Sequence, residues 1–141
     1  MRVSRKAEYA CIAMLELAAN YEQPQPVRVR AIAATHKIPQ RFLVQILLHL
    51  KNAGLVASVR GAAGGYQLAR DPEQISLADI IQAIDKEAFK LMRPASNSPA
   101  GQAIYNAWKE IYAAEQRLLD ELTLAELVRR IQQTSVLSYQ I

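Results

Sequence analysis

The chain is poor in cysteine, glycine, proline and aromatic residues, and these shortages exclude several classes of protein. Its 141 residues include one cysteine, five glycines, six prolines and 6% aromatic residues. A single cysteine, Cys11, excludes an intrachain disulfide framework. Few glycines and prolines beside abundant alanine and aliphatic residues favour one mainly helical domain. No apolar run approaches ~20 residues and no leader peptide is evident, so we expect a cytoplasmic protein.

The sequence also lacks the motifs of the common enzyme classes. No glycine-rich phosphate loop opens a helix after a strand, and no HExxH pair is present. No serine or cysteine nucleophile has an evident base nearby, and both histidines fall in a predicted helix-turn-helix. We therefore expect neither an enzyme nor a bound cofactor.

Charge is distributed unevenly between the two halves of the chain. The net charge is +4, but residues 1–70 hold ten Lys/Arg against three Glu, which gives +7. Residues 71–141 hold seven basic against ten acidic side chains, which gives −3. A basic first half favours a partner that is a polyanion, although ordinary variation of surface charge would give a similar pattern.

Helical periodicity and capping signals divide the first half of the chain into three helices. Ser4 is a candidate N-cap for a helix over residues 4–21, and closely spaced prolines then mark a loop. A second helix is predicted over residues 28–35, and Pro39 is placed in the first turn of a third that ends near residue 53. Two short helices joined by a tight turn have the spacing of a helix-turn-helix. We expect the third helix to bury Phe42, Leu43, Ile46, Leu47 and Leu50.

A glycine-rich hairpin follows the third helix and is the most informative segment of the chain. We predict strands over residues 55–59 and 66–68, joined by a turn from Gly61 to Gly65 that begins beside Arg60. A hairpin that carries an arginine directly after a helix is how a winged helix-turn-helix presents its wing to DNA. The sequence therefore predicts a mainly α fold with a small β-hairpin wing.

The second half of the chain contains three further helix starts. Ser76 and Asp79 have the spacing of a capping box for a helix that ends near Lys86. Ser98 and Pro99 are an N-cap and a first-turn proline for a helix that extends to about residue 122. Thr123 begins a final helix, predicted to end near residue 133. We divide the chain into a DNA-binding domain over residues 1–86, a linker over 87–98, dimerisation and terminal helices over 99–133, and a tail over 134–141.

The fifth helix has the length and pattern of a dimerisation helix. It would be roughly 35 Å long, more than a compact lobe requires. Its apolar residues follow a heptad spacing that Glu115 interrupts. The alternative is a long helix packed within one subunit. The predicted seam consists of Ile104, Trp108, Ile111, Leu118 and Leu122.

Five segments together resemble the Rrf2 family of bacterial transcription regulators. They are MRVSRKAEYA, IPQRFLVQIL, KNAGLVASVRGAAGGYQLAR, ISLADIIQAID and LTLAELV. The resemblance covers about residues 1–130, and the wing is its most specific part. It implies a homodimer with a winged helix-turn-helix at each end of a crossed pair of long helices. It also implies repression or activation at a pseudo-palindromic operator.

The residues expected to contact DNA fall into three groups. Phosphate contacts are expected from Arg2, Arg5, Lys6 and Lys51. Base edges are expected to meet Gln40, Arg41 and Gln45, because arginine pairs with guanine and glutamine with adenine. Arg60 resembles the wing arginine that enters the minor groove, where Gly61, Gly64 and Gly65 permit a tight turn.

Val44 departs from the family pattern, in which a glutamate is common at this position. A valine cannot accept a hydrogen bond from cytosine, but it can pack on a thymine methyl group. The operator consensus of other members is therefore not transferred to this chain.

The family resemblance also raises the question of an iron–sulfur cluster. Many members bind one through three cysteines that lie between the fourth helix and the dimerisation helix. The corresponding residues 87–101, EAFKLMRPASNSPAG, contain no cysteine, so we predict no cluster. Glu8 and His36 are then interpreted as a surface carboxylate and a turn residue. Cys11 is interpreted as a small buried apolar residue, with a thiol switch as the alternative.

Two functions of different classes remain open. The first is a dimeric, cluster-free transcription regulator, most simply a repressor. Its activity would be regulated by an effector metabolite, a regulatory protein or the state of the Cys11 thiol. The second is a winged-helix protein-interaction module that has lost DNA binding. A steep fall of DNA affinity with salt would distinguish the first from the second.

Overall fold

Six α-helices and one β-hairpin make up the described part of the chain, residues 2–140 of the computed structural model. For residues 89 and 136–140 the description covers the backbone alone. The helices are α1 (Arg5–Ala19), α2 (Val29–His36), α3 (Gln40–Asn52), α4 (Leu77–Ile84), α5 (Pro99–Glu121) and α6 (Leu124–Gln140). The strands β1 (Val56–Val59) and β2 (Gly65–Leu68) pair antiparallel between α3 and α4. None of the helices in residues 2–140 is long and apolar enough to cross a membrane.

Side-chain caps fix the starts of four helices where the sequence predicted them. The side-chain oxygens of Ser4, Ser76, Ser98 and Thr123 accept backbone N–H bonds of 3.1–3.2 Å from the residue three positions later. Ser76 and Asp79 also form the reciprocal bond of a capping box. The prediction for Pro39 was one position off, because Pro39 is the N-cap of α3 rather than its first helical residue.

One apolar core joins the first four helices, the hairpin and α6. Met14 and Leu17 of α1 are buried against Ile32 of α2 and the apolar stripe of α3. Leu124, at the start of α6, is fully buried in the same cluster. The last helix of the chain therefore packs within the body that carries the helix-turn-helix.

The expectation that α3 buries Phe42 was wrong. Leu43, Ile46, Leu47 and Leu50 are fully buried as predicted, whereas Phe42 is 52% exposed. Successive helical residues are about 100° apart, so Phe42 is turned well to one side of the stripe centred on Leu43 and Leu50. Its apolar character alone had suggested a core position.

Two element boundaries in the second half also differ from the prediction. α4 ends at Ile84, and a 3₁₀ turn over Lys86–Phe89 occupies the start of the predicted linker. α6 continues beyond residue 133 to Gln140, so most of the predicted tail is helical, and Ile141 lies outside the described residues.

The corner between α5 and α6 is attached to the start of α4. The amide of Leu77 donates to the carbonyl of Leu122 at 2.9 Å, and the amide of Leu124 donates to the carbonyl of Ile75 at 2.9 Å. Arg129 of α6 also pairs with Glu73 at 2.9 Å. These bonds fix the point at which α5 meets the rest of the molecule.

Candidate nucleic-acid interface

The turn between α2 and α3 has a fixed geometry. Lys37 ends α2 in the left-handed region, with φ 55°, and the amide of Ile38 donates to the carbonyl of Ala33 at 3.1 Å. Ile38 is buried, which attaches the turn to the core. His36 lies 3.0 Å from the carboxylate of Glu16 on α1, measured from Nε2 to Oε1. The turn therefore sets the orientation of α3 relative to α1 and α2.

The outward face of α3 carries the side chains predicted to meet base edges. Gln40, Arg41, Val44 and Gln45 are all exposed, opposite the buried stripe of the same helix. Leu48 is exposed on this face as well, although it was not predicted to contact DNA. Lys51 is exposed in the last turn of α3, where a positive charge also interacts favourably with the helix dipole.

The wing follows α3 directly and is tightly built. The amide of Leu55 donates to the carbonyl of Leu50 at 3.0 Å, which joins β1 to the end of α3. The turn is closed by a 3.0 Å bond from the amide of Gly64 to the carbonyl of Gly61, whose φ of 110° favours glycine. Arg60 is exposed at the start of this turn. The wing arginine therefore projects from a hairpin whose base is continuous with α3.

A short backbone bridge attaches the wing to the segment before α2. Val27 and Tyr66 exchange two backbone hydrogen bonds of 2.8 Å each. A Cβ atom at Gly65 would overlap the carbonyl oxygen of Val27 and lie 2.7 Å from its carbonyl carbon, so this approach requires glycine. The guanidinium of Arg28 donates to the carbonyl of Ala62 at the tip of the wing.

Sequence reasoning missed this attachment, because the pairing joins residues far apart in the chain. The one local signal is the short β-branched pair of Val27 and Val29 after Pro26, which is compatible with an extended segment.

The basic residues predicted at the start of α1 have different surroundings. Arg2 and Arg5 are exposed and Lys6 is half-buried. Arg5 pairs with Glu8 at 3.0 Å, but both side chains are largely exposed, and such surface pairs contribute little to stability. Arg5 can therefore leave Glu8 and bind a DNA phosphate with little loss of free energy.

A second surface lies along α5. Ile104, Trp108, Ile111 and Leu118, four of the five predicted seam residues, are more than half exposed. Leu122 is half-buried at the corner with α6 and differs in this respect from the other four. Residues 90–98 run beside the first half of α5 and enclose with it an open apolar groove of about 870 Å³, which Trp108 and Ile111 also line. The groove is thus continuous with the exposed seam.

Comparison with known proteins identifies the family. A family model described as Rrf2, iron-dependent transcriptional regulator, matches residues 3–130. The chain belongs to the Rrf2 family. CymR of Bacillus subtilis is 34% identical over 127 residues, which cover 90% of this chain and 89% of CymR.

Solved structures of Rrf2-type regulators have the same fold as this chain. The structure of CymR, the global cysteine regulator of B. subtilis, matches with a TM-score of 0.83 and 32% identity over 92% of this chain and 98% of that one. IscR of T. potens matches with a TM-score of 0.78 and 30% identity over 95% of this chain and 90% of that one. This Rrf2 protein is therefore a winged helix-turn-helix transcription regulator, and it is not an enzyme.

The family description names iron dependence, but the residues of this Rrf2 protein do not fit an iron–sulfur cluster. Such clusters take thiolate ligands, and Cys11 is the chain's one cysteine. Burial, with a smaller contribution from the carboxylate of Glu8, raises the pKa of the Cys11 thiol to about 11. Within residues 2–140 no group of three or more His, Cys, Asp or Glu side chains is placed to hold a metal ion. Glu8 and His36, interpreted from the sequence as a surface carboxylate and a turn residue, are paired with Arg5 and Glu16.

The raised pKa also bears on the thiol-switch interpretation of Cys11. A thiolate is the reactive form of cysteine, and a pKa near 11 leaves very little of it at neutral pH. The half-buried side chain packs against the main core and against a small cluster of Ala78, Ile81 and Leu119. These surroundings favour the interpretation of Cys11 as a small apolar packing residue.

Proposed function

We propose that the protein is a homodimeric repressor that acts in the cytoplasm, binds a pseudo-palindromic operator sequence-specifically and carries no iron–sulfur cluster. The observation that supports this most is the joining of α3 and the wing into one surface. β1 continues from the end of α3, and the Val27–Tyr66 bridge attaches β2 to the entry of α2. A recognition helix and a wing held in this way can meet adjacent grooves of one duplex.

Each group of side chains has a distinct role in this proposal. The exposed residues Arg41 and Gln45 of α3 lie in the major groove, where they can pair with guanine and adenine. Arg60 enters the neighbouring minor groove, which is narrow and strongly negative in A·T-rich DNA. The cations Arg2, Arg5, Lys6 and Lys51 contact phosphates. The affinity that they supply falls as salt concentration rises, because the counterions that binding releases from DNA then gain less entropy.

The seam on α5 supports the dimer. Four large apolar side chains lie along one face of a single helix over roughly 21 Å, a pattern that suits pairing with a second copy of the helix. A symmetric pair would use the same face of both copies and would cover the adjoining groove as well. Two-fold symmetry of the protein then requires a two-fold symmetric operator.

A random DNA library selected with the wild type and with Arg60→Ala tests the proposal. We expect a two-fold symmetric motif whose half-sites are separated by about 10 base pairs or a multiple of it. Arg60→Ala should retain the α3 half-sites but weaken binding and lose preference for A·T pairs beneath the wing. Lys86→Ala is the matched control, because it removes the same charge from an exposed position outside α3 and the wing.

Salt dependence separates the proposal from the protein-interaction module. The logarithm of the affinity should fall with the logarithm of salt concentration, with a slope of about −0.9 per phosphate contact. A shallow or absent slope, with no selected motif, would contradict DNA regulation and favour the interaction module.

A further inference from the structure

The outward face of α3 contains an apolar patch beside the polar side chains that are candidates for reading base edges. Val44 is 47% exposed and Leu48 is 51% exposed, and they lie one helical turn apart. Arg41 lies one turn before Val44, and Gln45 lies one turn before Leu48. Single exposed apolar residues are common on protein surfaces, but an adjacent pair in the middle of a DNA-facing surface requires an explanation.

Helix geometry separates this patch from the other exposed apolar residue of α3. At about 100° per residue, Arg41, Gln45 and Leu48 lie nearly opposite the buried stripe, and Val44 lies beside Leu48. Phe42, 52% exposed, is turned to the other side of the helix. Val44 and Leu48 therefore belong to the face that would enter the groove, whereas Phe42 lies on its flank.

We propose that Val44 and Leu48 together recognise thymine through its 5-methyl group, so that each half-site contains thymine beneath the centre of α3. The inference rests on the proposed DNA-binding function and deepens it. The thymine methyl is the one apolar group on the base edges of the major groove. Neither side chain can donate or accept a hydrogen bond. Cytosine in its place would have its amino group desolvated against apolar atoms without a partner, which is unfavourable.

The polar neighbours agree with an A·T pair at this position. A glutamine amide can bond to N6 and N7 of adenine, and the adenine of such a pair presents these atoms beside the thymine methyl. Gln45 is exposed and lies one helical turn before Leu48 on the same face. One amide and two apolar side chains can thus recognise both bases of one pair, or of two neighbouring pairs.

Removing single methyl groups from the operator tests the inference. In the motif selected by the wild type, each thymine is replaced in turn by deoxyuridine, which lacks only the methyl, and affinity is measured by fluorescence anisotropy. At the thymine beneath α3 we expect a loss of about fourfold per half-site, the value for one buried methyl group. Cytosine in place of this thymine should lower the affinity, and 5-methylcytosine at the same position should restore part of the lost affinity.

Protein variants connect the effect to the two side chains. Val44→Ala and Leu48→Ala should bind more weakly and discriminate less between thymine and deoxyuridine, and the double variant should not discriminate at all. Both side chains are exposed, so folding should be unchanged, as circular dichroism would confirm. Phe42→Ala is the matched control, because it removes an equally exposed apolar side chain from the flank and should keep the wild-type discrimination.

Several outcomes would overturn the inference. They are a selected motif with no thymine beneath α3, an affinity indifferent to every deoxyuridine replacement, or full discrimination in the double variant. If one of these occurs while a symmetric motif and steep salt dependence are present, the proposed DNA-binding function is retained and the recognition of thymine by Val44 and Leu48 is rejected. If no motif is selected, both fail together, and Val44 and Leu48 become candidates for a protein contact.

Discussion

Replacement of Trp108 by alanine should strongly weaken the proposed dimer. Trp108 lies near the middle of the α5 seam and is 57% exposed in the single chain. A tryptophan side chain presents on the order of 200 Å², so roughly 110 Å² would be covered by the partner. At about 25 cal/mol per Å², this burial contributes about 3 kcal/mol per protomer.

A symmetric dimer loses this contribution twice. The total of about 6 kcal/mol corresponds to roughly four orders of magnitude in the dissociation constant. Sedimentation velocity over a range of micromolar concentrations measures this change directly. Because Trp108 is the only tryptophan, its fluorescence also reports the wild-type equilibrium, and the emission should shift to shorter wavelength as the dimer forms.

The matched control is Asn106→Ala, which removes an exposed side chain two residues earlier on the far side of α5. It should leave the dissociation constant unchanged. A Trp108→Ala protein that remains dimeric at low micromolar concentration would refute the assignment of the seam. A wild-type protein that is monomeric at tens of micromolar would refute the dimer itself.

Three further predictions concern the wing, the Cys11 thiol and α6. Gly65→Ala should displace the wing from Val27 and weaken DNA binding while the helical content is unchanged, as anisotropy and circular dichroism would measure. Burial raises the pKa of the Cys11 thiol from its ordinary value of 9.0 to about 11. The free energy of unfolding therefore has its full value below pH 9 and falls as pH rises toward 11. In urea titrations over this range the wild type should lose about 3 kcal/mol more than Cys11→Ala. Leu124→Ala should lower the free energy of unfolding by about 2–5 kcal/mol at fixed protein concentration, whereas Ile131→Ala, at an exposed position, should change it little.

Each of these predictions has an outcome that contradicts it. Unchanged DNA affinity in Gly65→Ala would mean that the wing does not depend on its close approach to the segment before α2. A parallel pH dependence of stability in the wild type and Cys11→Ala would show that another group titrates above pH 9. Equal destabilisation by the α6 variants at the buried and exposed positions would mean that α6 is not part of the common core.

The local parts of this fold were predictable because their causes are local. Ser76 and Asp79 form the capping box that their spacing predicted, and Ser98 followed by Pro99 starts α5. The hairpin was predicted to within one residue at the start of each strand, because glycines at a turn and β-branched residues before it favour that structure. In each of these cases the deciding interaction spans only a few residues.

The features that the sequence did not predict depend on distant contacts or on exposure. The bond from Arg28 to Ala62 and the Val27–Tyr66 bridge join segments more than thirty residues apart, and no local pattern encodes them. Phe42 was assigned to the core by residue type, although its position on α3 turns it outward. Leu48 was overlooked for the related reason that an exposed leucine has meaning only after the DNA-facing side of the helix is known.

The bonds at the corner between α5 and α6 determine how the dimer and the DNA-reading surface can be coupled. Leu122 and Leu124 are held by backbone bonds to Leu77 and Ile75, which flank the start of α4. Leu124 lies in the same core as the buried stripe of α3, so α5 leaves the body from a fixed point. In a dimer paired along the seam, the separation of the two recognition helices would then follow from the crossing of the two α5 helices. A change in that crossing would move each α3 and its wing together, because backbone bonds join both to one body. Operator spacing is therefore expected to depend on α5, whereas half-site sequence is expected to depend on α3 and the wing.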